Sequence, residues 1–407
     1  MLNRYTTGPK FQTTAQLIIL NGKILYVQQI NIKYYESFTI FVIEIIFFNL
    51  GKILSSISIR ENIENGEINL SPFASKAKNS LGRKTAEENC DIRTVFQRDR
   101  DRIIHSNAFK RLKDKTQVFI SPTGDHYITR LTHTLEVAQI ARTISRALKL
   151  NEDLTEAISL GHDLGHTPFG HIGEDELNNL LPNGFTHAKQ SYRIVEFLEK
   201  SGEGLNLTQE VKEGILNHSK PKGDFFDKKL PETLSLEAQV CRVSDAIAYL
   251  NHDLKDALRD GIITVEMMPK IVSSDLGTTH SERINTMVKD IISTSWSARG
   301  EMAEKNTKTK PKIQMSFKTR KALNIFRDYM FQEVYEPQDK SIEGKTARKI
   351  VNLLFVQLHK SPDKIKDIPL KKNHSITDYI AGMTDQFAIR MAKKLDSSIT
   401  KPLERKY

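Results

Sequence analysis

Three histidines and an aspartate fall within eleven residues of the stretch Gly161–His171, GHDLGHTPFGH. Within it, the adjacent pair His162-Asp163 constrains the fold more than any other feature of the chain. Neighbours on a regular helix point about 100° apart, so adjacent side chains serve one centre only where a helix ends. Gly165 and Pro168 follow at once and supply such an end. Imidazole and carboxylate together suit Zn²⁺, Mn²⁺, Fe²⁺ or Mg²⁺ rather than a soft-metal thiolate site. A lone His-Asp dipeptide is more often an ordinary polar pair than a ligand set, so its company decides the reading.

That company lies on two other stretches with helical spacing. His133 falls in 129–149 on a face shared with Val137, Ile140 and Ile144. Asp245 falls in 234–260, flanked by Val240, Val243 and Ile247. An ionisable side chain on an apolar helix face is costly unless it is paired or binds metal. His133, His162, Asp163 and Asp245 thus form one candidate set of metal ligands from three helices.

The rest of the chain reads as helical from Ile59 onward. Asn69-Leu-Ser-Pro72 and Gly82-Arg-Lys84 are loops. Residues 96–112 predict one basic amphipathic helix, Val118–Pro122 a short strand, and Pro122-Thr-Gly-Asp125 a turn. Asn151 or Asp153 caps the next helix, and helical spacing returns at 191–200, 207–218 and 234–260. Beyond 265 the pattern stays helical, with a Lys-rich interruption at 303–313. There is no internal repeat and no alternation long enough for a large sheet, so the expected class is all-α.

Residues 1–56 differ in texture, rich in Ile, Phe, Tyr, Asn and Lys. The run Phe38–Leu50 is apolar but carries Glu44 and Asn49, too short and interrupted for the roughly 20 residues of a membrane span. It lies too deep for a signal peptide. An accessory strand or helix, or a start codon placed too early, accounts for the segment better than membrane association. Cys90 and Cys241 form no CxxC, which argues against a disulfide framework and fits a reducing cytoplasm. The net charge of +10 suits anionic partners without choosing among nucleotides, nucleic acid and a membrane surface.

The order H…HD…D is the signature of the HD superfamily. The runs RTVFQRDRDRIIHSNAFKRLKDKTQVF, GDHYITRLTHTLEVAQIARTISRAL and LNEDLTEAISLGHDLGHTPFGHIGEDELN closely resemble the deoxyguanosine triphosphate triphosphohydrolase-like family. The likeness resumes at 281–287 and 377–387 and covers most of 59–395. It implies an HD-domain helical core over 57–265 and a C-terminal helical region over 266–407 that completes the substrate site and makes oligomer contacts. Residues 1–56 stand outside it as an atypical extension.

The resemblance implies hydrolysis of a deoxynucleoside triphosphate (dGTP or a broader range) to a deoxynucleoside and inorganic triphosphate. The cofactor is then a divalent ion, Mn²⁺ or Mg²⁺ ahead of Fe²⁺, Zn²⁺ or Co²⁺. His171 matches the family's catalytic histidine, with Glu174 one helical turn on to orient it. His166 and His187 match positions around the phosphates. Arg130, three residues before His133, matches a position near the α-phosphate, which a guanidinium suits. Asp245, Tyr249 and Asp253 are spaced i, i+4, i+8 on one stripe. In related enzymes the tyrosine packs under the sugar and the aspartate meets the 3′ hydroxyl; Gln117 also approaches the sugar. Ring-like homo-oligomers and an activating nucleotide are further family expectations.

Two rivals remain. Another HD phosphohydrolase, a 5′-nucleotidase or phosphodiesterase, would share the ligands but lack the His171/Glu174 pair and the Tyr249/Asp253 stripe. A nucleotide sensor or a binder of single-stranded nucleic acid would draw on the basic segment Arg98–Lys115, and its affinity would fall steeply with salt.

Overall fold

The computed structural model describes residues 14–20, 23–29, 58–120, 127–219, 224, 226, 230–301, 310–360 and 375–404. The chain divides into two compact units, 1–58 and 59–407. In the first, β1 (Thr14–Leu20) and β2 (Lys23–Gln29) pair antiparallel, with Thr14 opposite Gln29 and Leu20 opposite Lys23. The apolar run Phe38–Leu50 and the expected turn Pro122–Asp125 lie outside the described residues. No helix among the described residues is long and apolar enough to cross a membrane.

The second unit is all-α. Its helices begin with α1 (Ile59–Gly66), α2 (Val95–Ile104) and α3 (Asn107–Arg111). The site-bearing helices are α4 (Arg130–Ala147), α5 (Glu152–Gly161), α6 (Gly170–Leu180), α7 (His187–Arg193), α8 (Gln209–Asn217) and α9 (Leu236–Arg259). Then follow α10 (Lys270–Asp275), α11 (His280–Thr294), α12 (Phe317–Met330), α13 (Glu336–Lys340) and α14 (Ile342–Lys360). The chain closes with α15 (Ile376–Ala381), α16 (Asp385–Leu395) and α17 (Lys401–Glu404).

Local chemistry explains the boundaries that matter. Thr129 caps α4 and trades hydrogen bonds with Thr132 in a capping box. Asn151, not Asp153, caps α5 through its side-chain oxygen and the Leu154 N–H. α9 starts at the Ser235 cap and runs 24 residues. It packs against α4 and α5, burying Val240, Val243, Ile247 and Leu250 against Val137, Ile140, Ala157 and Ile158. Each valine, isoleucine or leucine among them contributes roughly 1.5–3 kcal/mol of burial. A second apolar cluster joins α6 to α14–α16 through Leu177, Phe185, Ile350, Leu354 and Ile380.

Three expectations fail locally. The single helix over 96–112 breaks at His105, because Ser106 caps a new helix and the Glu199 carboxylate takes the Asn107 and Ala108 N–H groups. Val118–Ile120 is no strand. It is a bent segment held by one isolated bridge, Thr116 to Thr129, with the Lys115 carbonyl accepting the Arg130 N–H. The helix over 191–200 becomes a π-turn at Ile194–Leu198, and Lys200 and Ser201 take left-handed backbone angles.

Candidate metal centre and active site

The helix end foreseen at His162-Asp163 is present. α5 closes at Gly161, and His162 is its C-cap. The His162 Nδ1–H donates to the Ser159 carbonyl at 2.6 Å, which leaves the Nε2 lone pair for another partner. Ser191 on α7 clasps the turn, donating to the His162 carbonyl (2.7 Å) and accepting from the Gly165 N–H (2.8 Å). Gly165 has to be glycine: a Cβ there would sit 2.2 Å from the Ser191 nitrogen and 2.4 Å from the His187 carbonyl oxygen.

Around this turn the four candidate ligands converge. His133 Nε2 lies 3.3 Å from Asp245 Oδ1 and 3.8 Å from Asp163 Oδ2. His162 Nε2 lies 3.3 Å from Asp163 Oδ1 and 4.0 Å from Asp245 Oδ1. All four are buried. His162 Nε2 has no hydrogen-bond partner despite its burial, a costly state that a bound cation relieves. Two imidazoles with free lone pairs and two carboxylates fit a divalent ion. His133 is turned by a residue that sequence reasoning missed, His252, whose Nε2 lies 2.9 Å from His133 Nδ1. Asp253 Oδ1 lies 2.8 Å behind His252 Nδ1. Such outer partners fix the tautomer and raise the basicity of a ligating histidine. His252 was open to discovery, since it is seven residues beyond Asp245 and so on the same helix face.

Arg130 is almost fully buried and does not reach into solvent as a free arginine would. Its Nη1 donates to Asp163 Oδ2 at 2.8 Å and its Nη2 to the Gln117 carbonyl at 3.3 Å. Burial alone would push the Asp163 carboxyl up, but His162, His166 and the Arg130 guanidinium together hold it well below the usual carboxylate range. Gln117 is half-buried, and its side-chain oxygen lacks a hydrogen-bond partner.

Beside the four-residue cluster stands a second one. Phe169 and Gly170 take positive φ (63° and 60°) and turn the chain sharply into α6. A Cβ on Gly170 would meet Arg130 Nη2 at 2.9 Å. The turn puts His171 and Glu174 on the first turns of α6, with His171 Nδ1 3.2 Å from Glu174 Oε2. His187, the first residue of α7, also faces Glu174: its Nδ1 is 2.9 and 2.8 Å from the two carboxylate oxygens, and its backbone N–H donates to Oε1. Burial lowers the affinity of His187 for its proton, yet Glu174 reverses this and raises it above the usual histidine value. His166 stacks on His187 with ring centroids 3.9 Å apart, while its Nε2 lies 3.3 Å from Asp163 Oδ1. A second missed histidine, His218, places Nε2 3.0 Å from His187 Nε2, and its Nδ1–H donates to the Ile215 carbonyl.

On α9, Tyr249 and Asp253 follow Asp245 along one stripe as expected. Tyr249 is half-buried, and its hydroxyl is pushed up to about 12, first by burial. Asp253 is committed to Tyr335, whose hydroxyl donates to Oδ2 at 2.8 Å. Burial pushes Arg242 down to about 10, with Arg327 adding like-charge repulsion and Asp245 opposing it.

The basic segment behind the nucleic-acid reading is largely neutralised by the chain itself. Arg98 and Arg102 both meet Glu87, and Arg100 meets Asp101 and Glu156.

Comparison with known proteins agrees with this geometry. The family described as HD domain matches residues 130–250, and the phosphohydrolase-associated domain matches 313–394. A deoxyguanosinetriphosphate triphosphohydrolase-like protein of Caldanaerobacter subterraneus subsp. tengcongensis is 50% identical over 347 residues, 83% of this chain and 95% of the relative. The chain belongs to the deoxyguanosinetriphosphate triphosphohydrolase-like family. Members named the same way from Clostridium perfringens strain SM101 and Bordetella pertussis are 45% and 40% identical, over 83% and 80% of this chain and 97% and 96% of the relatives. As an HD-domain member of this family, the chain is a metal-dependent phosphohydrolase.

Proposed function

We propose that this phosphohydrolase cleaves a deoxynucleoside triphosphate at the α-phosphorus, giving a deoxynucleoside and inorganic triphosphate. The observation that carries the reading is the second cluster: His171 and Glu174, 3.2 Å apart, stand beside the candidate ligands and are joined to them through His166. An HD centre by itself would serve several phosphohydrolases. The relatives' printed names point to the same substrate class.

His133, His162, Asp163 and Asp245 are the residues that would hold the ion, Mn²⁺ or Mg²⁺ before the alternatives. A divalent ion bound there supplies Lewis-acid polarisation of a phosphoryl oxygen and a more acidic water. The chain's own groups do the rest. The departing 5′ alkoxide is a strong base and needs a proton, while the attacking water must lose one. His171 is 68% exposed at its side chain and meets the substrate from the open side. Glu174 orients it and stabilises its charged form. His187, also held by Glu174, and His166 line the path of the phosphates. Arg130 fixes Asp163 and offers charge near the α-phosphate. Arg242 and Arg327 lie near Tyr249 and Asp245 and add cationic character for the remaining phosphates. Tyr249 packs under the sugar, where a 2′ hydroxyl would be crowded; Gln117 meets the sugar edge, and Asp253 meets the sugar hydroxyl only by sharing the carboxylate that Tyr335 and His252 hold.

The test is product analysis. Protein with Mn²⁺ or Mg²⁺ is incubated with each of the four dNTPs and GTP, singly and mixed, and products are separated by anion exchange. Deoxynucleoside plus triphosphate, absent in His162→Ala, is the expected result. Orthophosphate or a monophosphate as product assigns the chain to another HD phosphohydrolase reaction, and activity confined to mixtures identifies an activating nucleotide.

A further inference from the structure

We infer that His166, His171, Glu174 and His187 form a second metal site, selective for ions that favour imidazole, Zn²⁺ foremost, and that its occupation stops turnover. The four donors lie within 4.8 Å of one another. The Nδ1 atoms of His187, His171 and His166 stand 2.8, 3.2 and 4.0 Å from one oxygen, Glu174 Oε2. With metal–nitrogen distances of about 2.0–2.1 Å and metal–oxygen distances of about 2.0–2.2 Å, ligands of a tetrahedral ion sit about 3.3–3.4 Å apart. The three separations straddle that value, and the site closes when one ring turns out of the His166–His187 stack, now 13° from parallel, so that both lone pairs meet at one ion.

The independent observation is His166. Its ring is 2% exposed, and its Nδ1 has no hydrogen-bond partner. The other nitrogen, Nε2, lies 3.3 Å from Asp163 Oδ1. A proton on Nε2 toward that carboxylate leaves a buried lone pair on Nδ1, 4.0 Å from Glu174 Oε2.

His187 is prepared in the same way. His218 donates from Nδ1 to the Ile215 carbonyl, so its Nε2 is an acceptor, and His187 Nε2 must be the donor across the 3.0 Å contact. The proton between His187 Nδ1 and Glu174 is the one that an ion replaces, and it leaves to solvent. Both buried histidines thus carry an outer hydrogen bond that fixes the ligating nitrogen. His171 closes the set from the solvent side and leaves an entry path.

Three imidazoles and one carboxylate suit Zn²⁺, Co²⁺, Ni²⁺ or Cu²⁺. Mg²⁺ and Ca²⁺ prefer oxygen donors and gain little here. Mn²⁺ and Mg²⁺, placed first for the first centre, are therefore poorly held at the second, whereas Zn²⁺ binds the atoms proposed to move the proton.

Binding is read without reference to any substrate. Metal-free protein is equilibrated with Zn²⁺, passed through a desalting column and its metal counted. Two equivalents per chain are expected in the wild type and one in His171→Ala and in Glu174→Gln, each checked for helicity by circular dichroism. Asp245→Asn, which weakens the first centre, keeps one equivalent, and Co²⁺ loaded into that variant shows the visible absorption of a four-coordinate ion. One equivalent in the wild type, or a second equivalent that survives in the His171→Ala/Glu174→Gln double variant, overturns the site. In the Mn²⁺-loaded enzyme, added Zn²⁺ lowers kcat at least tenfold; undiminished turnover with two equivalents bound overturns the inhibitory role alone. Because the counting needs no turnover, a failure of the proposed hydrolysis leaves the metal result standing, and the reverse.

Discussion

Two histidine clusters stand side by side, with His166 between them, and are built in opposite ways. In the ligand cluster every ring is sealed: His133 and His162 are buried, and their non-ligating nitrogens are held by His252 and by the Ser159 carbonyl. In the dyad cluster one carboxylate, Glu174, is divided between two rings, and one of those rings, His171, faces solvent. The first arrangement suits a task in which nothing about the protein changes during a cycle. The second suits a task in which a proton arrives and leaves, because an ion pair with two possible partners can exchange one without losing the other. His166 belongs to both, with one nitrogen toward each.

The largest effect that separates the clusters comes from Asp245→Asn. Losing a ligand carboxylate removes several kcal/mol of charge stabilisation, so kcat is expected to fall by about three powers of ten or more and bound Mn²⁺, read by metal analysis, to fall with it. His171→Ala is next. It is expected to lower kcat by about 10²–10⁴-fold while Mn²⁺ content stays at the wild-type level. If Mn²⁺ leaves with His171, the two clusters are one unit and the contrast fails. His252→Ala leaves every ligand in place but frees His133 to turn, and Mn²⁺ affinity is expected to drop about 10–100-fold, measured by titration.

Smallest is a stability effect of the His187–Glu174 pair. The Glu174 carboxyl, opposed by burial but held by His187 and His171, lies well below its usual value, and the His187 value is raised. The pair therefore stabilises fully between the ordinary carboxyl and histidine values, about pH 4.3–6.5. Its contribution is lost as pH rises through the raised His187 value and as it falls through the depressed Glu174 value. Thermal unfolding of wild type and Glu174→Gln should differ by roughly 1.5–3 kcal/mol in that window and converge on either side. A difference independent of pH would mean that the pair is not ionised in the folded protein.

What the sequence made legible follows a physical rule. α4 and α9 were readable because their apolar spacing is local, as are the caps Thr129 and Ser235 found in the structure. The break at Ser106 was not, because the carboxylate that takes the α3 N–H groups belongs to Glu199, some ninety residues away. Among the candidate ligands, His133 and Asp245 stood out as ionisable residues on apolar faces, and His162-Asp163 as an adjacent pair at a helix end. His218 was not, although it repeats the device used by His162: each follows a helix end and donates its Nδ1–H to the carbonyl three residues back. Its meaning arises only when α8 is set against α7. Arg130 was read as a residue close to phosphate. Its bond to Asp163 depends on a turn thirty-three residues later in the chain.

Lys115 carries a consequence for how such a chain can be inherited. Its buried ammonium donates to the His166 carbonyl and, at 2.9 Å, to the Ala381 carbonyl, and burial beside Arg111 pushes it well below the usual lysine value. Asp385 accepts from the Thr116 N–H and hydroxyl and from the Phe169 N–H, and Asp378 accepts from Gln190 and Arg193. The loop that presents His166 and His171 is thus tied twice, directly through Phe169 and by way of Lys115, to helices more than two hundred residues downstream. Exchange of the C-terminal matched segment alone would leave the Lys115 amine and the donors Thr116, Phe169, Gln190 and Arg193 to whatever a foreign sequence places at 378, 381 and 385. A segment exchanged between genes therefore keeps this loop in place only where the donor also carries the carboxylates that Asp378 and Asp385 supply here.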